Sequence, residues 1–221
     1  MTVINFFFTR HGETQWNKIG KFQGQLDSPL TEKGYQQAHL IAERLNKSNI
    51  SSIISSTLTR AKKTAGICQA ILNCSLGLND KLIERNFGSW QGKIIADVQC
   101  EHNYQDIFHQ VNNTAPPYGE SGIECANRFQ QGLIEIANEY QYNPNSVEQK
   151  NNILVVSHGD ILRCFLSSWV NNFSNNHAIN TQNKAFDNGC IFQINYNIEK
   201  QSFTLISVID ITQSSLVAVS E

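Results

Sequence analysis

Several apolar runs in this sequence end in charged or imidazole side chains. The clearest is FFFTRHGETQWN (6–17), in which three phenylalanines are followed by arginine, histidine, glycine and glutamate. Three further runs, in SIISSTLTR, LGLNDKLIER and LVVSHGD, end in a similar way. Together they offer two arginines, two histidines, one carboxylate and a glycine: Arg10, Arg60, His11, His158, Glu84 and Gly159.

These residue types, if brought together, suit the transfer of a phosphoryl group. The planar donor forks of two arginines bind a phosphate or a carboxylate. A neutral imidazole can attack phosphorus, while a second one, kept protonated by the anion, can stabilise charge on the equatorial oxygens. The carboxyl group can protonate a leaving oxygen and then activate water. The set therefore predicts phosphoryl transfer through a phosphohistidine, without a metal ion.

Each residue taken singly also has a simpler interpretation. His11 could be a core histidine satisfied by a backbone carbonyl, and His158 could cap the helix that follows it. Arg60 could be a solvated helix residue, and Glu84 a surface partner of Arg85. What these interpretations do not explain is the placement of all four at the ends of apolar runs.

An alternation of strands and helices would position the four runs. Strands buried on both faces are predicted for 3–9, 48–56 and 152–157. Helices are predicted for TEKGYQQAHLIAERLNK, LTRAKKTAGICQAIL, SGIECANRFQQGLIEIANEY and DILRCFLSSWV, with Thr31 and Asp160 as helix caps. GCIFQINYN and SFTLISVIDI, joined by IEKQ, predict a closing hairpin.

This order of elements predicts an α/β fold, with a mostly parallel sheet and helices on both of its faces. In such sheets ligands bind at the carboxyl ends of the strands. Because all four runs end there, we expect their polar residues to meet at one edge, where Gly12 and Gly159 let the backbone approach a ligand. We expect one domain over 1–221, a polar loop over 142–152, and a segment over 93–120 that could cover the site.

Composition and charge exclude several other classes of function. The chain has 221 residues, with 17 basic and 19 acidic side chains and a net charge of −2. A basic stripe of the kind that binds nucleic acid or an anionic membrane is missing. No GxGxxG or P-loop pattern occurs, and His102 and His109 lie in no pattern of metal ligands.

The sequence also suggests where the protein works. Arg10 interrupts the first apolar run too early for a signal peptide, and no stretch approaches the roughly 20 apolar residues that cross a bilayer. None of the six cysteines forms a CxxC pair, which favours reduced core cysteines. We therefore expect a cytoplasmic protein with no membrane or nucleic-acid partner.

The stretch TRHGETQWN resembles the signature of the histidine phosphatase superfamily, in its phosphoglycerate-mutase-like branch. FQGQLDSPLTEKGYQQA resembles the segment that follows the signature. SSTLTRAKKTA carries the family arginine, LIERNFGSWQG the family acid, and YGES and VVSHGD are similar to later landmarks. The resemblance runs from residue 10 to about 189, which is most of the chain.

The resemblance implies a three-layer α/β/α sandwich and a role for each matching residue. His11 would be the phosphorylated nucleophile and Glu84 the proton donor, with no cofactor. The phosphate would be held by Arg10, Asn17, Gln23, Gly24, Arg60, His158 and Gly159. Tyr118, in PPYGES, replaces a residue that is usually small in the family, and we expect it to alter the covering segment.

Three functions stay open at this point: a cofactor-independent phosphomonoesterase, a phosphoglycerate mutase, and a non-catalytic protein that binds a phosphorylated ligand. A mutase needs a second cationic subsite, yet 93–120 contains one lysine, Lys93, against four acidic residues. Family mutases usually carry a longer, more basic insert there, and a threonine in place of Gln23. The phosphatase is therefore favoured, with a small phosphate ester as substrate; the identity of the ester and the choice between monomer and homodimer stay open.

Overall fold

The computed structural model describes residues 3–141, 151–171, 173, 186–211 and 217–218. Its centre is a single sheet in which seven strands follow the order β3-β2-β4-β1-β6-β7-β5 and β8 pairs with β7. The strands are β1 (Val3–Arg10), β2 (Ser52–Ser55), β3 (Ser75–Leu78), β4 (Asn152–Ser157), β5 (Val170–Asn171), β6 (Ile191–Asn197), β7 (Ser202–Ile209) and β8 (Val217–Ala218).

Seven α-helices connect or cover these strands in the described part of the chain. They are α1 (Gln15–Lys18), α2 (Glu32–Leu45), α3 (Thr59–Leu72), α4 (Ile95–Val98), α5 (Tyr104–His109), α6 (Gly122–Gln141) and α7 (Gly159–Trp169). Two short 3₁₀ helices, Asp80–Leu82 and Gly88–Trp90, lie between α3 and α4. Among the described residues, no helix is both long enough and apolar enough to span a membrane.

The strand directions confirm the predicted mostly parallel sheet. β3, β2, β4 and β1 pair in parallel, and β5 pairs in parallel with β7. Only β6 runs against its neighbours along the seven-strand path, because it is antiparallel to both β1 and β7. The predicted hairpin is therefore β6 and β7. The predicted strand at 48–56 is shorter than expected, since β2 covers only its second half.

The alternating side chains of β1 show why three consecutive phenylalanines occur there. Phe6 and Phe8 point to one face of the sheet, where they join a cluster formed by α6 and α7. Phe7 points to the other face, where it packs with residues of α2 and α3. A central strand covered by helices on both sides needs an apolar side chain at every position. The predicted three-layer α/β/α sandwich is thus confirmed.

The segment 93–120 packs around a third cluster, separate from the two main cores. Six buried side chains form it: Phe22, Phe87, Trp90, Val98, Tyr104 and Ile107. The segment contributes α4 and α5, which are too short to be stable alone. Their position depends on these aromatic contacts with the loops that follow β1 and β3.

One of the two predicted helix caps is correct. The Oγ1 of Thr31 accepts a hydrogen bond from the backbone N–H of Gly34 at 3.1 Å, so Thr31 caps α2. The prediction for Asp160 is wrong, because α7 begins one residue earlier, with His158 as its N-cap. The carboxylate of Asp160 instead contacts the guanidinium groups of Arg163 at 2.7 Å and Arg85 at 3.3 Å.

A pair of glycines lets the chain after β1 pass directly against the first turn of α2. A Cβ at Gly12 would lie 2.2 Å from the carbonyl oxygen of Gly34, and one at Gly34 would lie 2.1 Å from that of Glu13. These distances leave no room for any side chain on either glycine. The packing of α2 therefore helps to fix the backbone around His11.

We expect Gly34→Ala to lower the free energy of unfolding by about 1–3 kcal/mol or more, because the new methyl group overlaps backbone atoms that cannot turn away. Gly66, in α3, is the matched control, since a Cβ there meets nothing within 4 Å. Gly66→Ala should stabilise the protein by roughly 0.5–1 kcal/mol through helix propensity. Chemical denaturation of both variants is the measurement, and equal effects would contradict the close packing.

Candidate active site

The carboxyl ends of the strands converge on one cavity of about 480 Å³. Arg10 ends β1, Arg60 lies in the first turn of α3, and Glu84 follows the first 3₁₀ helix. Of the residues predicted for the site, the cavity is lined by Arg10, His11, Asn17, Gln23, Gly24, Arg60, Glu84 and Gly159. The structure thus brings together eight of the nine predicted residues around one volume.

His158, the ninth, lies directly behind the cavity wall. Its ring centroid is 5.1 Å from that of His11, and it has no exposed surface. The Nε2 of His158 is 2.7 Å from the Oγ of Ser56, while its Nδ1 is buried without a hydrogen-bond partner. His158 is the N-cap residue of α7, but its side chain makes no capping hydrogen bond, so helix capping does not explain the imidazole.

The hydrogen bonds of His11 determine which ring nitrogen carries the proton. The Nε of Arg60, which can only donate, lies 3.1 Å from Nε2 of His11. The Nδ1 lies 2.8 Å from the carbonyl oxygen of Gly12, which can only accept. Neutral His11 therefore carries its proton on Nδ1 and keeps a lone pair on Nε2. Only 2% of the residue is exposed.

The electrostatic surroundings keep both imidazoles neutral. Burial lowers the pKa of His11 well below the ordinary 6.5, and the guanidinium groups of Arg60 and Arg10 lower it further. The pKa of His158 is also well below 6.5, because of burial first and then of Arg60, His11 and Arg10. With protein groups alone, the nucleophile candidate is unprotonated at neutral pH.

Arg60 is held by groups from the loop that precedes α2. Its Nη1 donates to the carbonyl of Leu26 at 2.7 Å and to the carboxylate of Asp27 at 2.9 Å, and its Nη2 donates to the carbonyl of Gly24 at 2.7 Å. Asp27 also accepts from the backbone N–H of Thr59 at 2.7 Å. Since Leu58, the N-cap of α3, makes no side-chain capping bond, Asp27 caps this helix from outside it.

Arg10 crosses the beginning of α7, where the glycine at position 159 makes room for it. Its Nη1 donates to the carbonyl of Phe186 at 2.9 Å, and its Nε is buried without a partner. A Cβ at Gly159 would lie 3.2 Å from the Nε and Cζ of Arg10. Gly159 thus leaves room for the side chain of Arg10, and Gly12 leaves room for the close packing of α2. That both glycines let the backbone approach a ligand stays a prediction.

Glu84 is buried at the amino end of α7, with 8% of the residue exposed. Its carboxylate accepts from the backbone N–H groups of Arg85 at 2.9 Å, Ile161 at 2.9 Å and Asp160 at 3.3 Å. Burial and then the nearby carboxylate of Asp160 raise its pKa above the ordinary 4.5, although these N–H donors and Arg60 act against the shift. Because the guanidinium of Arg85 pairs with Asp160, the interpretation of Glu84 as a surface partner of Arg85 is wrong.

Unpaired buried polar atoms are concentrated at this site. In the described part of the chain, four buried side-chain nitrogen or oxygen atoms have no hydrogen-bond partner. Three of them are Arg10 Nε, Gln23 Oε1 and His158 Nδ1; the fourth is Asn195 Oδ1. A buried polar atom without a partner costs about 1–3 kcal/mol. Their grouping around one cavity indicates that a polar ligand supplies the missing partners.

Asn17 and Gly24 have supporting contacts inside the site. The Oδ1 of Asn17 accepts from the backbone N–H of Thr14 at 3.1 Å and lies 3.4 Å from the Nδ2 of Asn188. This leaves the amide nitrogen of Asn17 as its donor toward the cavity. Gly24 has a φ of 53°, which favours glycine, and presents its carbonyl to Arg60.

Sequence reasoning missed several residues that support or line the site. Asp27 and Ser56 hold Arg60 and His158, and Asn188 donates to the backbone carbonyl of His11 at 2.8 Å. The cavity is also lined by aromatic side chains that no sequence pattern predicted there: Phe22, Phe87, Phe108 and Phe186. Asp27, Ser56, Phe22 and Phe87 lie inside stretches already noted for other reasons, and Phe108 lies in the segment over 93–120.

Two further expectations concern Tyr118 and metal binding. Tyr118 is 94% exposed and is not among the described residues that line the cavity. Its φ of 61° is a conformation that glycine adopts more readily. Within the described residues, no group of three or more His, Cys, Asp or Glu side chains is arranged to hold a metal ion.

Relatives of known sequence match about three quarters of the chain. The chain is 34% identical over 168 residues to a probable phosphoglycerate mutase GpmB of Escherichia fergusonii, covering 75% of this chain and 74% of the relative. It is 35% identical over 170 residues to the protein of the same name from Escherichia coli O1:K1, with the same coverage.

Solved structures with a similar fold include a phosphatase and a putative phosphatase. A mycobacterial glucosyl-3-phosphoglycerate phosphatase, in complex with VO3, superposes with a TM-score of 0.75 at 23% identity and covers 91% of this chain and 96% of its own. A putative alpha-ribazole-5'-P phosphatase from Escherichia coli K-12 gives a TM-score of 0.72 at 25% identity, covering 92% and 95%.

The sequence pattern described as "Histidine phosphatase superfamily (branch 1)" matches residues 6–209. This range begins in β1 and ends with β7, so it includes every residue that we predicted for the site. The match, the relatives and the fold agree, and the chain belongs to branch 1 of the histidine phosphatase superfamily, as an enzyme of this phosphatase and mutase class.

Proposed function

We propose that the protein is a phosphomonoesterase that hydrolyses small phosphate esters through a phosphohistidine at His11. The observation that carries this proposal is the fixed tautomer of His11, whose Nε2 lone pair lies at a cavity lined by two arginines. A neutral, buried imidazole with a free lone pair is a nucleophile. Two guanidinium groups beside it suit the three charged oxygens of a phosphate.

Binding of the phosphate would satisfy two of the unpaired atoms of the site, the Nε of Arg10 and the Nδ1 of His158. The Nε of Arg10 can donate to a phosphate oxygen, and the amide groups of Gln23 and Asn17 lie on the same cavity. The planar guanidinium of Arg60 is anchored through Nη1 and Nη2, so a shift of the whole group or a rotation of the His11 ring is needed before Nε donates to a phosphate oxygen instead of His11. The phosphate then replaces Arg60 beside the Nε2 lone pair.

The bound anion also changes the charge of His158. A phosphate dianion acts against the burial and the arginines that lower its pKa, since an opposite charge favours the protonated form. The Nδ1 of His158, which has no partner among the protein groups, then becomes a donor toward the phosphate. In this way His158 stabilises charge that develops on the equatorial oxygens.

The chemistry follows in two steps. In the first, Nε2 of His11 forms a bond to phosphorus as the ester P–O bond breaks, and the carboxyl group of Glu84 gives its proton to the leaving oxygen. In the second, Glu84 takes a proton from a water molecule that attacks phosphorus, and inorganic phosphate leaves His11. The raised pKa of Glu84 supports the first step, because it keeps the acid form available above pH 4.5.

We also propose that this reaction uses no metal ion or cofactor. The groups available to neutralise the phosphate are Arg10, Arg60 and His158, and the proton carrier is Glu84. Together they provide the charge and the donors that a loose phosphoryl transition state requires. The first test below is run with a chelator for this reason.

A mutase activity is the alternative suggested by the names of the relatives. It requires a second cationic subsite and a return of the phosphoryl group to the substrate. Lys93, the one lysine of 93–120, is exposed and pairs with Glu101 at 3.1 Å, and it is not among the described residues that line the cavity. This supports hydrolysis over isomerisation. Incubation with 3-phosphoglycerate, followed by assays of both free phosphate and 2-phosphoglycerate, decides between them.

We expect His11→Ala to lower turnover of small phosphate esters by about 10⁴-fold or more, because it removes the nucleophile. Wild-type enzyme quenched during turnover in EDTA should carry phosphate on His11, in a linkage that is labile in acid and stable in base. Mass spectrometry of the quenched enzyme makes the measurement. His39→Ala, which changes an exposed histidine of α2, is the control and should keep full activity. Phosphate found on a residue other than His11 contradicts the mechanism. Phosphate on His11 that forms without EDTA but not in its presence contradicts it as well.

We expect Glu84→Gln to slow the formation of phosphohistidine from alkyl phosphates by about 10²–10⁴-fold, the usual contribution of general acid catalysis. The loss should be much smaller with nitrophenyl phosphate, whose leaving group departs without a proton. Single-turnover rates of phosphoenzyme formation separate this step from the later attack of water. Equal losses with both esters would mean that Glu84 only holds the site together.

We expect the pH profile of kcat/KM to fall in acid as His11 gains a proton and in base as Glu84 loses one. The lowered pKa of His11 places the acid limb at a lower pH than an ordinary histidine would, and the raised pKa of Glu84 places the alkaline limb at a higher pH than an ordinary glutamate would. Asp160→Asn removes a carboxylate that raises the pKa of Glu84, so the alkaline limb should move to lower pH. The substrate's own ionisation is the same for both enzymes and cancels in the comparison.

The control for this shift is Glu139→Gln, which removes an exposed carboxylate of α6 outside the set of cavity residues. Its profile should match that of the wild type. Asp160→Asn also leaves Arg85 without its carboxylate partner, so each profile is normalised to its own maximum. An alkaline limb that stays in place, or moves to higher pH, would remove Glu84 as the titrating acid.

A further inference from the structure

We propose that the alcohol part of the substrate carries an aromatic ring, which binds against a wall formed by Phe22, Phe87 and Phe108. This inference rests on the proposed phosphatase function and names its substrate class. The three side chains, together with Ile95 and Phe186, line the same cavity as Arg10 and His11. The cavity therefore has a cationic end and an aromatic wall.

The size of the cavity shows that the phosphate occupies only part of it. A phosphate group fills roughly the volume of two water molecules, about 60 Å³. The cavity measures about 480 Å³, so most of it is available to the alcohol part of an ester. A volume of this kind, with apolar walls and a few convergent polar groups, is typical of a small-molecule site.

The aromatic wall is held in place by rings packed behind it. The ring centroid of Phe22 lies 5.0 Å from that of Phe87 and 5.5 Å from that of Phe108, the latter in an edge-to-face arrangement at 87°. Trp90 supports Phe22 at 5.7 Å, and Tyr104 stacks on Phe108 at 5.4 Å. Such pairs are favourable at 4.5–7 Å. The wall is thus preorganised for a flat ring.

The aromatic cluster is also the small core of 93–120, and packing alone could explain its buried members. It does not explain why the cluster is open on one side. Phe22 and Phe87 belong to the cluster and Phe108 packs against it, yet all three line the cavity. Phe22 and Phe87 each expose 4% of their surface, and Phe108 is half-buried. An apolar surface facing the site of phosphate chemistry gains stability when a ligand ring covers it.

The charges around the cavity disfavour an anionic alcohol part. Beyond Arg10 and Arg60, the cavity is lined by two cationic side chains, Lys21 and Arg163. Three acidic side chains line it as well: Glu84, Asp160 and Asp187. Arg163 already pairs with Asp160 at 2.7 Å, and the ammonium of Lys21 lies 4.2 Å from the centroid of the Trp16 ring. A second phosphate or a carboxylate on the substrate would meet no excess of positive charge here.

The test compares two esters that share a primary alkoxide leaving group, ethyl phosphate and 2-phenylethyl phosphate. Because the chemistry at phosphorus is the same, the ratio of their kcat/KM values reports contacts with the ring. We expect 2-phenylethyl phosphate to be favoured by about 10–100-fold, as burial of one phenyl ring predicts. Release of inorganic phosphate is the readout. 3-Phosphoglycerate, which carries a carboxylate, should be no better than ethyl phosphate.

Variants assign the preference to the aromatic wall. Phe108→Ala should lower the ratio by about tenfold, and Phe108→Leu, which keeps more apolar volume, should lower it less. Since both esters are measured on the same preparation, partial loss of folded enzyme cancels in the ratio. Tyr35→Ala, which removes a comparable exposed ring from α2 outside the set of cavity residues, should leave the ratio unchanged.

The outcomes separate this inference from the proposed function. A ratio near one in the wild type, with phosphate released from both esters, overturns the aromatic subsite and leaves the phosphatase intact. If no ester releases phosphate, the phosphatase proposal fails. Calorimetric binding of the same two esters then decides the subsite on its own, since equal affinities overturn it and tighter binding of 2-phenylethyl phosphate supports it.

Discussion

The arrangement of the site depends on one contact between two buried groups, the guanidinium of Arg60 and the imidazole of His11. Both could be cationic, and two unshielded positive charges about 3 Å apart in a buried site would repel each other strongly. The contact is stable because His11 accepts the hydrogen bond as a neutral ring, while Asp27 and two backbone carbonyls compensate Arg60. The lone pair on Nε2 of His11, the proposed nucleophile, therefore depends on how Arg60 is buried.

A second buried arginine joins the site to the segment over 93–120. Arg85 donates to the backbone carbonyls of Ile107 and Glu120 and pairs with Asp160 on α7. Asp160 in turn lies near Glu84 and contributes to its raised pKa. A buried ion pair that loses one partner is strongly destabilising. Packing and charge therefore couple the segment over 93–120 to the start of α7 and to Glu84. In the proposed mechanism, substitutions in 93–120 that disturb Arg85 can thus alter proton transfer by Glu84 without contacting the substrate.

Much of the fold and of the site could be predicted from the sequence, and the failures have physical causes. Apolar runs that end in polar residues located β1, β2 and β4 and the edge where His11 and Arg60 meet. The cap of α7 was misplaced because an aspartate near a helix start favours capping locally, whereas buried Arg85 attracts it in the folded protein. The aromatic wall could not be predicted, because Phe22, Phe87 and Phe108 are far apart in the chain and become neighbours only through the packing of short helices.

The unpaired polar atoms and the neutral histidines lower the stability of the free protein and make the site reactive toward a ligand. Arg10, Gln23 and His158 each bury a polar atom without a partner, at a cost that the rest of the fold must exceed. The nitrogens of Arg10 and His158 can donate to a phosphate in the proposed mechanism, so that part of the cost is recovered on binding, whereas the Oε1 of Gln23 is an acceptor and needs a donor. In contrast, the rings of the aromatic wall are already packed against one another. A ligand adds stability there only by burying the apolar surface that faces the cavity. In the proposed function, a phosphate dianion thus supplies the stronger attraction, and the proposed ring contact determines which ester is preferred.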